Sequence, residues 1–142
     1  MSQSSFSLTL LLFIIGGCSK SSLELVKVSG TVKYSNGTVP EAETRVLRLE
    51  PVPDAAGHLA PRAATADVRP DGIFDAMTLR PGDGAMAGDY KPVLLFWKSP
   101  LTRESVLPRA YGNVKTTPLQ TISVKPGQQN HFEFVIESSQ KP

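Results

Sequence analysis

The sequence predicts an all-β domain, folded as a sandwich of seven strands and placed behind an N-terminal signal peptide. Short β-branched and aromatic runs recur along the chain, and within them apolar and polar residues alternate. The 11 glycines and 12 prolines lie between these runs, which is typical of turns in a β fold. Seven such runs without a helical pattern favour a β-sandwich, and 142 residues leave room for one domain.

The first strand is predicted from Leu25 to Tyr34, where Val26, Val28 and Val32 share one face. An Asn36-Gly37 pair then supplies a turn. The remaining strands are predicted at Thr44 to Glu50, Ala64 to Arg69, Ile73 to Thr78, Asp89 to Trp97, Leu119 to Val124 and Asn130 to Glu137.

Turn residues indicate how some of these strands connect. Pro70-Asp71-Gly72 predicts a hairpin between the third and fourth strands. Asp89 to Trp97 is the most apolar stretch after the signal peptide and is predicted to be a central strand. Pro92 offers no donor to a ladder, so we expect an edge, a bulge or a strand that begins at Val93.

Alternating positions on these strands predict a single hydrophobic core. The lone cysteine excludes an internal disulfide, so this core must stabilise the domain without one. Its expected members are Val28, Val32, Leu47, Leu49, Phe74, Tyr90, Leu94, Phe96, Phe132, Phe134 and Ile136.

The N-terminus has the pattern of a signal peptide. Leu8 to Cys18 is apolar except for Thr9, and it is followed by a hydrophilic stretch. As a helix it would span less than about 20 Å, which is too short for a hydrocarbon layer of about 30 Å. We therefore predict a signal peptide over residues 1–17, a tether over residues 18–24, a domain over residues 25–137 and a tail over residues 138–142.

The cysteine at the end of the apolar run indicates anchoring. Ile15-Gly16-Gly17-Cys18 resembles the lipobox of bacterial lipoproteins. That resemblance implies a diacylglycerol thioether on Cys18, cleavage before it and usually acylation of the new amino group, which together hold a domain at a membrane durably. The expected location is the cell envelope, with the domain facing the periplasm or the surface. The alternative is that Cys18 is an incidental residue of an ordinary signal peptide.

An ordered series of motifs extends from about Val26 to Ile136 and resembles a known family. The motifs are Val28-Ser29-Gly30-Thr31-Val32, Asp71-Gly72-x-Phe74, Arg80-Pro81-Gly82-Asp83-Gly84-Ala85, Gly88-Asp89-Tyr90-Lys91, Pro108-x-x-Tyr111, Thr117-Pro118-Leu119 and Val124-Lys125-Pro126-Gly127. Together they resemble the small carboxypeptidase-regulatory-like lipoproteins that are numerous in planctomycete bacteria. The resemblance implies a transthyretin-like (prealbumin-like), seven-stranded Greek-key sandwich, and it transfers no activity or substrate.

Several residues of these motifs have structural roles that follow from their chemistry. Gly30 is expected to allow a close backbone approach or a bulge, and Gly72 to take the positive φ of its turn. Tyr90 is expected to pack its ring while its hydroxyl caps a loop. Tyr111 and Pro118 are expected to pin a long loop against the sheet edge.

The residues that could bind a metal are few and poorly spaced. His58 and His131 lie 73 positions apart and form no His-x-His or His-x-x-x-His pair. Asp67, Asp71 and Asp75 recur every four residues, but strand alternation and turn chemistry already explain them. We therefore expect no metal and no cofactor beyond the covalent lipid on Cys18.

Nucleophilic catalysis has little support in the sequence. Gly-x-Ser-x-Gly is absent, and no serine or cysteine lies in a context that suggests activation by a nearby histidine. The transthyretin-like purine-pathway hydrolases end in Tyr-Arg-Gly-Ser, whereas this chain ends in Ser138-Ser139-Gln140-Lys141-Pro142. These observations favour a protein that is not an enzyme.

The expected function is that of a non-catalytic binding or structural module in the cell envelope. Its partners are the membrane, through the lipid anchor, and an envelope protein or glycan; the formal charge of +2 and the scattered basic residues argue against nucleic acid. The alternative is a small transthyretin-like hydrolase or metal-dependent enzyme. Loops of this fold often carry recognition, and arginine and tryptophan lead among interface residues. The candidate binding residues are Trp97, Arg109, Arg103, Arg80 and Arg62.

Overall fold

A computed structural model describes residues 24–53 and 61–137 of the chain. The predicted signal peptide, the candidate lipidation site Cys18, most of the tether, His58 and the tail lie outside the described residues. Those predictions remain untested.

The described part of the chain is all-β, as predicted. It contains nine strands and a 3₁₀ turn at Arg109–Gly112, and no α-helix lies among its residues. None of its helical segments is long and apolar enough to cross a membrane. The strands are β1 Leu25–Val26, β2 Val28–Tyr34, β3 Thr44–Pro51, β4 Ala64–Asp67, β5 Ile73–Asp75, β6 Ala85–Met86, β7 Gly88–Trp97, β8 Ile122–Val124 and β9 Asn130–Ile136.

Two larger sheets enclose one hydrophobic core. Their strand orders are β5-β2-β9 and β4-β3-β7-β8, and β1 with β6 forms a separate small ribbon. All strand pairs are antiparallel except β2 with β9, which is parallel. Buried residues from both larger sheets belong to the same apolar cluster, which is the arrangement of a β-sandwich.

The predicted core is confirmed with one correction. Every residue of the predicted set is buried except Phe132, which is only partly buried at the margin of the cluster. Phe132 lies on β9, an edge strand, so no neighbouring strand covers its outer side. The inward alternation of Phe132, Phe134 and Ile136 is nevertheless the one that the sequence predicts.

The predicted hairpin between the third and fourth strands forms in part: Thr65 and Met77 exchange two backbone hydrogen bonds in an antiparallel bridge, but the strands pair mainly with other partners. The local turn forms, with Gly72 at a φ of +84° and the backbone N–H of Arg69 donating to the carbonyl of Ile73 at 3.0 Å. However, β4 pairs with β3 in one sheet, and β5 pairs with β2 in the other. Turn chemistry reverses the chain locally, but long-range packing selects the partner of each strand.

The predicted first strand is interrupted at Lys27. Residues before the break pair with β6, and residues after it pair with β5 and β9. Lys27 itself turns toward a neighbouring loop, where its Nζ donates to the carbonyl of Gly82. Gly84 lies so close to this break that a Cβ there would come within 1.9 Å of the carbonyl oxygen of Val26. The interruption therefore lets the small β1–β6 ribbon form beside the sandwich.

Pro92 lies inside β7, buried and opposite Leu49 of β3. The hydroxyl of Thr117 donates to the carbonyl of Pro92 at 3.0 Å, from the side away from β3. Because the N and the C=O of one strand residue point to the same side, the missing donor also faces away from β3. Strand β8 pairs with β7 only from Gly88 to Tyr90, so Pro92 occupies an open edge, one of the three predicted options.

Two tyrosines have the predicted structural roles. The ring of Tyr90 is fully buried, and its hydroxyl donates to the carbonyl of Met86 at 2.7 Å; burial raises the pKa of Tyr90 to about 12. Tyr111 is buried, and its hydroxyl accepts the backbone N–H of Glu137 at 3.1 Å. Pro118 is exposed, so the prediction that it pins the loop is wrong: its buried neighbours Thr117 and Leu119 do so.

Asp83 organises the loop that carries Arg80. Its carboxylate accepts the backbone N–H groups of Thr78, Leu79 and Arg80 at 2.7, 3.0 and 2.8 Å. Partial desolvation acts to raise the pKa of Asp83, but these hydrogen bonds and the charge of Lys27 outweigh it and hold the pKa below the ordinary value of 3.8. The ionised carboxylate thus stabilises the folded loop.

Asp83→Asn should lower the melting temperature at pH 7 and reduce its dependence on acid pH. A group whose folded pKa is lowered contributes stability above its unfolded pKa, and this contribution is lost as the pH falls through the folded pKa. The melting temperatures of the two proteins should therefore begin to converge below pH 3.8 and meet only once the pH has passed through the lower folded pKa. Asp67→Asn, at an exposed position of β4, controls for the loss of one negative charge. A constant difference in melting temperature from pH 7 to pH 3 would contradict this role.

Candidate functional site

Trp97 and Arg103 are the two predicted binding residues that the structure brings into contact. Trp97 is the last residue of β7 and is half-buried. The guanidinium carbon of Arg103 lies 5.6 Å from the centroid of the indole ring, the geometry of a cation–π pair. Arg103 has a φ of +52°, and it is the only non-glycine residue in the described ranges with positive φ. Such a backbone conformation costs on the order of 1 kcal/mol or more, and it is concentrated at functional sites.

Residues 98–105, here called the 98–105 loop, form an ordered structure at the end of β7. The backbone N–H of Lys98 donates to the carbonyl of Glu104 at 2.8 Å, and that of Arg103 donates to the carbonyl of Ser99 at 3.0 Å. The hydroxyl of Ser99 also accepts the N–H of Leu101 at 3.2 Å. The loop conformation is therefore set before any partner binds.

The 98–105 loop presents an apolar tip. Leu101 is 93 % exposed, the highest value among the exposed large hydrophobic residues of the described ranges. Lys98 and Glu104 form an exposed ion pair at 2.7 Å, so they neutralise each other, and such a pair contributes less than about 1 kcal/mol. Arg103, two residues from the tip, is a cation that stacks on an aromatic ring, that of Trp97.

Arg109 lies toward the same end of β7. It begins the 3₁₀ turn, whose Gly112 lies against the backbone of Leu94 and the side chain of Leu95. Arg109 itself is exposed, while Tyr111 of the same turn is buried. The turn therefore holds Arg109 at the surface near the last residues of β7.

The structure places Arg62 and Arg80 at the opposite end of β7. Pro61, next to Arg62, contacts the position that a Cβ on Gly88 would occupy, at 3.0 Å, and Gly88 begins β7. Arg80 lies in the loop held by Asp83, which leads into β6. Ten strand residues separate the two ends of β7, a distance of about 30 Å. One partner-binding patch therefore does not contain all five predicted residues.

An open groove between the two sheets is a feature that the sequence reasoning missed. It has a volume of about 530 Å³ and runs between β8 and β9, where the sandwich is unclosed. On the opposite side, Thr65 and Met77 exchange two backbone hydrogen bonds of 2.9 and 2.7 Å and link β4 to the segment after β5. The groove is lined by Pro118, Leu119, Gln120, Thr121, Ile122, Ser123, His131, Phe132, Glu133, Phe134 and Val135.

The structure brings together a serine and a histidine that are far apart in the sequence. The Oγ of Ser29 is 3.3 Å from Nδ1 of His131, because β2 and β9 pair in register at these residues. Asp75 lies opposite Ser29 on the other side, so the order across the sheet is aspartate, serine, histidine. A catalytic triad needs the histidine in the middle, where the carboxylate can orient it. The pair is also exposed, so the site does not exclude water.

Two of the three aspartates that recur every four residues, Asp71 and Asp75, make local contacts, and Asp67 is an exposed residue of β4. Asp71 accepts the backbone N–H of Ile73 at 3.0 Å within its turn, and Asp75 lies 3.4 Å from the guanidinium of Arg69. Within residues 24–53 and 61–137, no cluster of three or more His, Cys, Asp or Glu side chains could hold a metal ion.

The groove and the Ser29–His131 contact become visible only once the strand pairing is known. Ser29 and His131, for example, are 102 positions apart in the sequence. An exposed apolar residue between two turn residues, as in Ser99-Pro100-Leu101-Thr102, is the local signal that could have identified the loop tip. Comparisons of the chain with protein-family models, with curated proteins and with solved structures found no match.

Proposed function

We propose that this chain is a lipid-anchored protein of the bacterial cell envelope, with a non-catalytic binding module that recognises an envelope protein through the 98–105 loop. We propose further that its fold is the seven-stranded, transthyretin-like sandwich of the carboxypeptidase-regulatory-like lipoproteins. The larger sheets of three and four strands support that fold. The observation that carries the function is the ordered loop with its exposed apolar tip at Leu101.

Leu25, where the described strands begin, and the 98–105 loop lie at opposite ends of the domain. Leu25 follows Cys18 by seven residues, a reach of at most about 25 Å. Strand β1 pairs with β6, which ends just before β7 begins, so the tether enters near the start of β7. The 98–105 loop follows the end of β7, about 30 Å away. A lipid on Cys18 would thus hold one end at the membrane and leave the loop facing away from it.

Cys18→Ser should abolish lipid attachment. Expressed in a bacterium that processes lipoproteins, the unchanged protein should incorporate labelled fatty acid and partition into the detergent phase, because the acyl chains add about 0.8 kcal/mol per buried CH₂. The variant should do neither. Ser19→Ala, which leaves the cysteine in place, is the matched control. Equal labelling of the Cys18→Ser variant would end the anchoring proposal.

An apolar tip favours a protein partner over a glycan. A leucine side chain offers no hydrogen-bonding group to a sugar hydroxyl, whereas it fits an apolar recess on a protein surface. Trp97 and Arg103 behind the tip are of the residue types that contribute most to protein interfaces. The ordered backbone of the loop reduces the entropy lost on binding.

A photo-crosslinking amino acid at Leu101 should capture one discrete envelope protein in living cells. The same substitution at Leu79, which is 59 % exposed but lies in the loop before β6, is the matched control and should not capture that protein. Trp97→Ala and Arg103→Ala should each reduce the Leu101 adduct, because both residues position the loop. Equal capture from both positions would contradict recognition by the 98–105 loop. An adduct to a glycan would mean that the partner is a sugar and not a protein.

A small hydrolase is the second candidate function, because Ser29 and His131 are adjacent. Ester turnover by the purified protein that is lost in both Ser29→Ala and His131→Ala would favour it. Retained turnover in these variants would trace the activity to a contaminant.

A further inference from the structure

Strand β9 is the longest free edge among the described strands of the two larger sheets. The four edge strands are β4, β5, β8 and β9, and the first three have only four, three and three residues. Strand β9 has seven residues and pairs with β2 alone. Proteins usually shorten an exposed edge or block it with proline or lysine, and β9 contains neither.

The backbone of β9 has hydrogen-bonding groups that face outward at every second residue. The N–H of Ser35 donates to the carbonyl of Ile136 at 3.1 Å. The backbone N–H and C=O groups of the even-numbered residues of β9 therefore point to β2. The backbone groups of the odd-numbered residues, His131, Glu133 and Val135, therefore point to the free side of the strand. The N–H of Glu137, the next residue in this series, points the same way and reaches the hydroxyl of Tyr111. In the described part of the chain, no backbone–backbone hydrogen bond is made to the outward groups of these three residues.

The side chains next to this edge are incompletely covered. Phe132 is only partly buried, and Val135 is 50 % exposed. The open groove runs along the same edge and includes both residues in its lining. An added strand would therefore gain backbone hydrogen bonds from β9 and apolar contact with the groove.

We propose that β9 pairs with β9 of a second copy of this chain, antiparallel and centred on Phe132. In this register, His131 of each copy lies opposite Glu133 of the other, and the two backbones exchange hydrogen bonds at these pairs. The two Phe132 rings meet at the centre, on the face that lines the groove. The three-stranded sheets of two copies then join into one sheet of six strands.

Charge favours this register over the one centred on Glu133. A shift of the centre to Glu133 would place the two Glu133 carboxylates directly opposite each other, and facing like charges destabilise a strand pair. If the symmetry axis passed between two residues of β9, each inward-facing residue of one copy would lie opposite an outward-facing residue of the other. The inner face of one copy would then continue into the outer face of its neighbour. The centre at Phe132 avoids both conflicts and creates two complementary histidine–glutamate pairs.

The same features favour a second copy over an unrelated peptide. The strand that best fits this edge has aromatic residues toward the groove and alternates them with a histidine and an acidic residue. Strand β9 itself has that pattern, with Phe132 and Phe134 on the inner face and His131 and Glu133 on the outer face. The proposal is independent of lipid anchoring.

Cysteine crosslinking tests the register directly. In the full-length Cys18→Ser chain, the introduced thiol is the only one. Under mild oxidation, Phe132→Cys should give a disulfide-linked species of twice the 15.3-kDa mass, because the paired Cα atoms would lie about 4.5 Å apart. Glu133→Cys, whose symmetry-related Cα would lie more than about 7 Å away, should crosslink at least fivefold less. Equal yields from the two variants, or no dimer from either, would overturn the proposal.

A charge exchange provides a second test that leaves the core intact. His131→Glu places two carboxylates opposite each other at both pairs and should weaken dimerisation at least tenfold in sedimentation measurements. Adding Glu133→Lys restores opposite charges and should recover dimerisation to within about threefold of the unchanged chain. Both positions are exposed, so circular dichroism should be unaffected. If the single variant dimerises normally, or the double variant fails to recover, the β9 edge is not the interface.

Discussion

Gly30→Ala should cause the largest loss of stability of any single substitution considered for this domain. A Cβ at this position would lie 1.8 Å from the carbonyl oxygen of Phe132 and 2.9 Å from the ring of Phe74. The oxygen belongs to the backbone of β9, so relief would require β2 and β9 to separate where they pair in register. We expect a loss of about 4 kcal/mol or more, a large part of the roughly 5–15 kcal/mol that stabilises a domain. Urea denaturation of the purified chain measures this loss.

Gly112→Ala is the matched control for Gly30→Ala. A Cβ on Gly112 would meet its nearest neighbours at 3.7 and 3.8 Å, which is ordinary contact. We expect a change of no more than about 0.5 kcal/mol. Similar losses at the two positions would show that the close approach of β2 to β9 does not determine the effect.

Phe134→Ala should have the second largest effect, a loss of about 3–5 kcal/mol. The ring of Phe134 is buried between those of Phe74 and Phe132, with centroid distances of 5.8 and 6.4 Å. Truncation removes its transfer free energy and leaves a cavity that the sheets cannot fill. The midpoint of urea denaturation should fall while the slope stays constant, because the surface exposed on unfolding hardly changes.

Val135→Ala, one position along the same strand, controls for a change in β9 itself. Val135 is 50 % exposed and faces away from the core, so its truncation should cost less than about 1 kcal/mol. An unchanged midpoint in Phe134→Ala, or equal losses in both variants, would remove Phe134 from the core.

The sequence alone determined the all-β fold class, the residues that face the core and the glycines that the backbone requires. Alternation requires no knowledge of the partner strand, because successive side chains point to opposite faces wherever the strand lies. Phe74, Phe134 and Ile136 are therefore buried as predicted. Gly30 and Gly72 were also predictable, since a missing Cβ has few other uses at such positions.

The tertiary structure decided what lies beside what. Strand pairing is non-local, so the sequence around Pro70 predicted the turn and its local hairpin but not that β5 pairs with β2 and β4 with β3. The same reason hid the contact between Ser29 and His131, the stacking of Arg103 on Trp97 and the separation of Arg80 from both. The free edge of β9 is likewise a property of the whole sheet. An edge exists only where no other strand pairs, and local sequence carries no record of that.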